Sequence, residues 1–196
     1  MIKFGDKSND FLNYDEIVNE YLLPIYKSDL SEDENYCLSE FLGGTIEGYN
    51  LIESACKGLK IEHVYDIGSC YGHQSILFLK NGIKYTGIEQ CSYMNPRFTE
   101  EGAKYIMKRF PCYIPQEDDR TTWNHSAVIS SLCITFLQKD EDELKWQIRQ
   151  MCLNSKYFIV IVSKKYIDLL KEHYYVIAYM NDVFVGKVGE RSNNHG

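Results

Sequence analysis

The chain has 196 residues, a formal net charge of −7 and 44% hydrophobic residues, which suits a single globular domain with a small N-terminal addition. No apolar run is long enough to cross a membrane as a helix, so we expect no membrane association. A nucleic-acid substrate usually requires a basic face. Because the sequence has no basic stretch of that kind, nucleic acid ranks last among possible partners.

The seven cysteines are scattered along the chain, and none forms a C-x-x-C pair. Such a set is typical of free thiols in a reducing compartment, and close-spaced zinc ligands are missing. The N-terminus has no apolar signal core. These features predict a cytoplasmic protein without a metal site.

The negative charge is concentrated near the N-terminus, where residues 1–40 contain ten acids and three lysines. The rest of the chain has 18 acids and 18 bases. Apolar residues at helical spacing also occur in this segment, so we expect an acidic helical cap over 1–40 and a second domain over 41–196. Within that domain the apolar spacing predicts a helix over 40–58, directly before the first strand.

The most informative stretch is 64–73, Val-Tyr-Asp-Ile-Gly-Ser-Cys-Tyr-Gly-His. An apolar run, predicted as strand 1 (about 63–67), ends in an acid, and two glycines four residues apart precede a helical pattern. Glycine lets a ligand approach the backbone closely, and free N–H groups at a helix start attract polar or negative ligand atoms. In open α/β sheets, ligands bind at the carboxyl ends of the strands, where this loop lies.

The loop resembles motif I of the class I S-adenosylmethionine-dependent methyltransferases, roughly D/E-x-G-x-x-x-G, through Asp66, Gly68 and Gly72. Many members have a further glycine where this chain has Cys70. The resemblance implies S-adenosylmethionine as the cofactor. It also implies that these four residues and Ser69 lie at the cofactor.

Strand 2 is predicted at about 84–88 and ends in an acid, Glu89. Members of the family place an acid there to hold both ribose hydroxyls, which implies that Glu89 and Gln90 bind the cofactor. A carboxylate suits this role because it accepts two hydrogen bonds at once. An acid about twenty residues past the loop also fits an NAD-dependent oxidoreductase, but the required G-x-G pair is missing, so that alternative ranks lower.

A helix is predicted over 98–109, and strand 3 over 112–114, closed by Pro115. In the family, an acid or amide after strand 3 contacts the adenine amino group, and Glu117 and Asp118 are both candidates, with Asp118 our choice. The link to strand 4 is then short, so the usual crossover helix is expected to be abbreviated or absent.

Strand 4 is predicted at Ala127–Ser130, and Ser130-Ser131-Leu132-Cys133 stands where the family's motif IV faces the methyl group. Amino methyltransferases that act on DNA or glutamine have N/D-P-P-Y/F there. The difference argues against methylation of adenine, N4-cytosine or glutamine.

The remaining pattern predicts a helix from Asp140 to Leu153, strand 5 at Tyr157–Val162, a short helix at 164–172 and a hairpin formed by Tyr174–Tyr179 and Val183–Val188. The hairpin matches the antiparallel strands that close this family's sheet. The predicted fold is therefore α/β, a seven-stranded, mostly parallel sheet of order 3-2-1-4-5-7-6 with helices on both faces, an antiparallel C-terminal hairpin and additional N-terminal helices.

The resemblance implies methyl transfer to an acceptor, and we favour a small molecule over a protein side chain. Such transfer needs positioning and exclusion of water more than a fixed catalytic set. The candidate catalytic residues are His73, Ser130 and Tyr71, and Ser130 is also expected to line the cofactor. His125 precedes strand 4 and is expected at the opposite edge of the sheet. The alternative is a catalytically inactive binding or interaction protein on the same scaffold, and the acceptor and the oligomeric state stay open.

Overall fold

The computed structural model describes residues 48–70, 72, 74–90, 102–108, 110, 123–131, 141–180 and 182–189. The seven strands are β1 (His63–Ile67), β2 (Lys84–Glu89), β3 (Lys104–Met107), β4 (Ser126–Ser131), β5 (Tyr157–Ile161), β6 (Tyr175–Met180) and β7 (Val183–Lys187). The helices are α1 (48–59), α2 (Ser75–Lys80), α3 (Glu141–Asn154) and α4 (Ile167–Lys171), the last preceded by a 3-10 turn, Lys164–Tyr166.

The strands form one sheet of order β3-β2-β1-β4-β5-β7-β6. Strands β1 to β5 run parallel to one another, whereas β7 runs antiparallel to both β5 and β6. The predicted fold class and strand order are confirmed. Every residue of β1 and of β4 is buried, as expected for central parallel strands that are covered on both faces.

Alternation along β1 divides the core into two layers, because successive side chains of a strand point to opposite faces. Val64 packs in a cluster with apolar residues of α1 and α2. Tyr65 and Ile67 pack in a second cluster with residues of α3 and α4. Asp66 shares its face with Val64, so its carboxyl group points into the layer that contains α1 and α2.

The prediction of a helix over 98–109 is wrong in the described part of that segment, where the third strand of the sheet lies instead. Lys104–Met107 is a strand and pairs in parallel with β2, from Thr86 opposite Lys104 to Glu89 opposite Met107. Pairing with β2 overrides the weak local helical pattern, because strand preference depends on the neighbours a segment meets. The stretch predicted as strand 3, 112–114, lies outside the described residues, as does the predicted cap over 1–40.

This shift also corrects the predicted link between strands 3 and 4. Because β3 ends at Met107 and β4 begins at Ser126, the connection covers 108–125. A connection of that length meets the dozen or more residues that a parallel crossover needs. The expectation of an abbreviated crossover therefore rested on a misplaced strand.

Candidate cofactor-binding site

The loop after β1 turns sharply and then leads into α2. Gly68 and Gly72 have φ angles of 76° and 77°, in the left-handed region that glycine adopts at little cost. The N–H groups of Gly68 and Ser69 donate to the carbonyl of Ile88, at 2.9 and 3.2 Å, and Gly72 donates to the carbonyl of Ser69 at 2.9 Å. Both predicted glycines therefore stand at positions where the turn has a left-handed backbone.

Cys70 stands where the family often has a further glycine, and the backbone explains why glycine is favoured there. Its φ is 51°, a left-handed conformation that costs a residue with a Cβ atom roughly 1–2 kcal/mol. Its N–H donates to Glu89 Oε2 at 3.0 Å. This bond holds the strained residue in place and joins the glycine loop to the end of β2.

Glu89 ends β2 with a carboxylate that is 7% exposed and lies beside the loop. Besides the bond from Cys70, Oε1 accepts a hydrogen bond from the N–H of Gln90 at 2.8 Å. A carboxylate has about four acceptor positions, and these two bonds account for two of them. The acid predicted to hold the ribose therefore stands at the carboxyl edge of the sheet, oriented by two backbone donors.

Asp66, predicted as a cofactor ligand, is fully buried beneath the loop, with 0% of its surface exposed. Gln74 Nε2 and the Tyr85 hydroxyl each donate to Oδ2 at 2.6 Å. The Tyr49 hydroxyl lies 3.1 Å from both carboxylate oxygens and donates between them. We call these four residues the Asp66 cluster.

Burial raises the pKa of Asp66 from 3.8 to about 6, while the three donors act in the opposite direction and the charge of Glu89 raises it further. Burial also raises the pKa of Tyr85 well above its usual value, so this hydroxyl stays protonated and remains a donor. The carboxylate is thus kept ionised near neutral pH by hydrogen bonds alone, in a site that disfavours charge.

Two serines end β4, and they differ in their environment. Ser130 is buried and its Oγ donates to the carbonyl of Ile67 at 2.9 Å, which ties β4 to the start of the loop. Ser131 Oγ is buried without a hydrogen-bond partner in the described part of the chain. A Cβ atom added at Gly48 of α1 would lie 3.4 Å from Ser131 Oγ and would overlap Ile161, so α1 packs closely against this strand end. Ser131 is a polar group at the strand end that the sequence analysis did not select.

Several sequence predictions fall outside the described residues, namely those for Tyr71, His73, Glu117 and Asp118. Gln90 is described and follows β2 directly, with an exposed side chain. His125 precedes β4, and its Nδ1 lies 3.9 Å from Oε1 of Glu62, which precedes β1. This places His125 at the amino edge of the parallel strands, opposite the glycine loop, as predicted.

Four residues that support the loop had not been predicted from the sequence: Tyr49, Gln74, Tyr85 and Tyr105. The Tyr105 hydroxyl donates to the carbonyl of Gly72 at 3.3 Å and lies 3.2 Å from Ser75 Oγ. Only the corrected position of strand 3 brings this tyrosine under the loop. Tyr49, Gln74 and Tyr85 had no local signal, since their roles depend on contacts across the fold.

Within the described residues, no helix has the length and apolar character needed to span a bilayer. The same part of the chain contains no group of three or more His, Cys, Asp or Glu side chains placed to hold a metal ion.

No protein-family model matches the chain, and no curated protein matches it in sequence. Solved structures do match. Human N-acetylserotonin methyltransferase, in complex with S-adenosylmethionine, superposes with a TM-score of 0.60 and 14% identity over 92% of this chain and 64% of its own. Magnesium protoporphyrin IX methyltransferase from Synechocystis superposes with a TM-score of 0.54 and 11% identity, covering 92% and 98% of the two chains.

The chain has the class I methyltransferase fold. CalS10, an amino pentose methyltransferase from Micromonospora echinaspora, matches 69% of the chain at a TM-score of 0.53 and 12% identity. The chain spans about half the length of two such structures, 58% of CalS10 and 44% of a putative methyltransferase from Anabaena variabilis. At these identities the likeness concerns the fold, and the methyltransferase fold agrees with the topology described above.

Proposed function

We propose that this chain binds S-adenosylmethionine at the glycine loop and transfers its methyl group to a small molecule. The observation that carries the proposal is the junction of the loop with β2, where Glu89 accepts a hydrogen bond from Cys70 at the carboxyl edge of the sheet. This junction places a carboxylate acceptor next to a loop whose backbone a ligand can approach closely. The methyltransferase fold supports the same location, because ligands of open α/β sheets bind at this edge.

The described residues fit this cofactor in distinct ways. Gly68, Ser69, Cys70 and Gly72 supply the backbone of the loop, and Glu89 would accept from the ribose hydroxyls with Gln90 beside it. The proposed contact of Asp118 with the adenine amino group rests on the resemblance to the family alone. Ser131 Oγ is buried without a hydrogen-bond partner among the described residues. A ligand near the end of β4 could donate a hydrogen bond to this hydroxyl or accept one from it.

When bound, the cofactor supplies an electrophilic methyl group on a sulfonium, a good leaving group. The protein then has to hold the acceptor in line and exclude water. Ser130 donates its hydroxyl proton to the carbonyl of Ile67, so we assign it to the wall of the site rather than to proton transfer. His73 and Tyr71 remain the proposed candidates for a base, which is needed only if the acceptor must lose a proton.

The acceptor proposed here is a small molecule. Two neighbours at TM-scores of 0.53 are an amino pentose methyltransferase and a sugar N-methyltransferase, and these names describe those proteins. The net charge of −7 supports the low rank of nucleic acid. A protein acceptor ranks second. A putative methyltransferase of Haloferax volcanii, in complex with the Trm112 methyltransferase activator, matches at a TM-score of 0.51, so a protein can also be a partner of this fold.

The test is calorimetric titration with S-adenosylmethionine, S-adenosylhomocysteine and NAD. We expect micromolar binding of the first two and none of NAD. Glu89→Gln keeps the side-chain volume but loses the charge and one acceptor. Loss of one charge-assisted hydrogen bond from a ribose hydroxyl, together with weakening of the other, should reduce the affinity about 100-fold. Glu62→Ala, which removes an exposed acid at the amino edge, is the matched control and should bind as the wild type does.

Unchanged affinity in Glu89→Gln would remove the ribose assignment. If neither the methyl donor nor its product binds the wild type, the enzyme proposal fails, and the chain is an interaction protein on a methyltransferase scaffold. If binding is confirmed, methyl acceptors are screened by following S-adenosylhomocysteine release.

A further inference from the structure

We propose that Asp66 is an internal anchor of the glycine loop rather than a ligand of the cofactor, and that Tyr49 is the positioning residue through which α1 controls this anchor. The inference rests on the proposed function only for its binding measurement. Its other measurement concerns the loop itself and needs no ligand.

The first observation is that Asp66 is enclosed by the protein. Its carboxyl group is fully buried, and donors reach it from three directions: Tyr49 on α1, Tyr85 on β2 and Gln74 at the start of α2. Oδ2 alone receives all three donors, two of them at 2.6 Å. A group used in this way binds its own chain tightly, and its charge-assisted hydrogen bonds are stronger than neutral ones.

The second observation is that Gln74 joins the two ends of the loop. Its Nε2 lies 2.6 Å from Asp66 Oδ2 and 2.8 Å from the carbonyl oxygen of Ser69, and these two shortest contacts use the two protons of the amide group. One amide and one carboxylate therefore hold together Asp66 near the end of β1, Ser69 in the loop and Gln74 directly before α2. Weakening the carboxylate loosens the closure of the loop.

The third observation concerns Tyr49, which brings α1 into this arrangement. Its hydroxyl lies 3.1 Å from both oxygens of Asp66, and its ring packs edge-on against Phe78 of α2, with centroids 6.4 Å apart. A displacement of α1 would remove one donor from the anchor. Tyr49 thus couples the segment that precedes strand β1 to the loop that follows it.

The charged and titratable groups that face Asp66 are Tyr49 on α1, Tyr85 and Glu89 on β2, and Tyr105 on β3. None of these described groups is a cation, so the ionised carboxyl depends on its neutral donors. Removing the Tyr49 hydroxyl should therefore move the protonation of Asp66 to higher pH. A protonated Asp66 accepts weaker hydrogen bonds and holds the loop less firmly.

The experiment compares Tyr49→Phe with Tyr174→Phe. Both tyrosines are 3% exposed, and the Tyr174 hydroxyl bonds to the carbonyl of Ile148 on the other face of the sheet. Without ligand, amide hydrogen exchange at Gly68, Ser69, Cys70 and Gly72 should be about tenfold faster in Tyr49→Phe, since loss of one bond to a charged group is worth about that factor. Exchange in β5 should not change in either variant.

The second measurement is the affinity for S-adenosylhomocysteine between pH 5 and 8. Wild-type affinity should fall as the pH drops through about 6, where Asp66 takes up a proton. In Tyr49→Phe this fall should occur about one pH unit higher. A merely structural defect would weaken binding at every pH without moving the midpoint. Gln74→Met, which lacks both N–H donors, should give the same two changes.

Unchanged loop exchange in both Tyr49→Phe and Gln74→Met would overturn the anchor, whatever the cofactor does. Faster exchange with an unmoved pH midpoint would overturn the role of Asp66 in it. If the wild type binds no methyl donor or product, the proposed function fails, while the exchange result still decides the anchor.

Discussion

Gly87 of β2 lies directly beneath the glycine loop, and replacing it with alanine tests whether this contact sets the position of the loop. A Cβ atom at Gly87 would lie 2.7 Å from Ser69 Oγ and 2.8 Å from Tyr105 Cδ1. Ser69 cannot easily move away, because its N–H is bonded to Ile88 and its carbonyl to Gln74. The strain of the added methyl group should therefore displace the loop.

Overpacking of this kind costs about 1–3 kcal/mol of the free energy of unfolding. For a chain of this size, that corresponds to a melting temperature lower by roughly 3–10 °C. A loop shift that loses one hydrogen bond to the cofactor should weaken its binding about tenfold. The assays are urea unfolding and calorimetric titration with S-adenosylhomocysteine.

Gly186→Ala is the matched control, because this glycine lies in β7, far along the sheet from the loop. Its Cβ would lie 2.7 Å from Phe184 Cε1 and 2.8 Å from Tyr174 Cβ, and like Gly87 it has no positive φ. We expect a similar loss of stability without a loss of affinity. The reasoning is refuted if Gly87→Ala binds the cofactor as the wild type does, or if both variants lose affinity by the same factor.

Three further predictions follow from the described residues. Cys70→Val should lower the free energy of unfolding by about 1–2 kcal/mol, because a β-branched residue tolerates the left-handed φ of 51° poorly. Cys70→Gly should leave the free energy of unfolding nearly unchanged. Urea unfolding measures both variants. His125→Ala should leave cofactor affinity unchanged, since this residue lies at the amino edge, and a weaker titration would contradict that placement. Between pH 3.8 and about 6 the folded protein keeps a proton on Asp66 that the unfolded chain has lost. The free energy of unfolding of the wild type should therefore fall by about 3 kcal/mol as the pH rises through this window. Urea unfolding of Asp66→Asn, measured at the lower and the upper pH, should not show this fall.

The loop and the flanking strands were predictable because their signals are local. Asp66, Gly68 and Gly72 follow an apolar run, and the structure shows the strand, the turn and the helix that this pattern indicates. The signal of the C-terminal hairpin was equally local, and β6 and β7 pair as antiparallel neighbours. Turns and central strands can be predicted from short windows of sequence.

The edge strand β3 was not predictable in this way. Lys104–Met107 is only four residues long, with exposed residues at both ends, so it lacks the alternation of a longer strand. The nearby 112–114 carried a comparable local signal. The choice between two such segments depends on which one meets β2, and that contact appears only in the folded chain.

The partners of Asp66 were hidden for a different reason. Tyr49, Gln74 and Tyr85 reach it from positions 17, 8 and 19 residues away along the chain. None of them belongs to a motif, and the local sequence around each indicates only a helix or a strand. Sequence spacing identified the acid, but only the packing of α1 and β2 shows that the acid serves the loop.

The negative charge of Asp66 must have a role other than stabilising the fold. An ionised, buried carboxylate at pH 7 costs about 3 kcal/mol by the linkage worked out above, and a neutral isostere would avoid this cost. Asp66→Asn can be accommodated, because tyrosine hydroxyls accept hydrogen bonds as well as donate them. The variant should therefore unfold at higher urea than the wild type at pH 7 and yet bind S-adenosylhomocysteine more weakly. Changes of opposite sign in stability and affinity distinguish an anchor held for the loop from an ordinary core residue, whose loss would lower both.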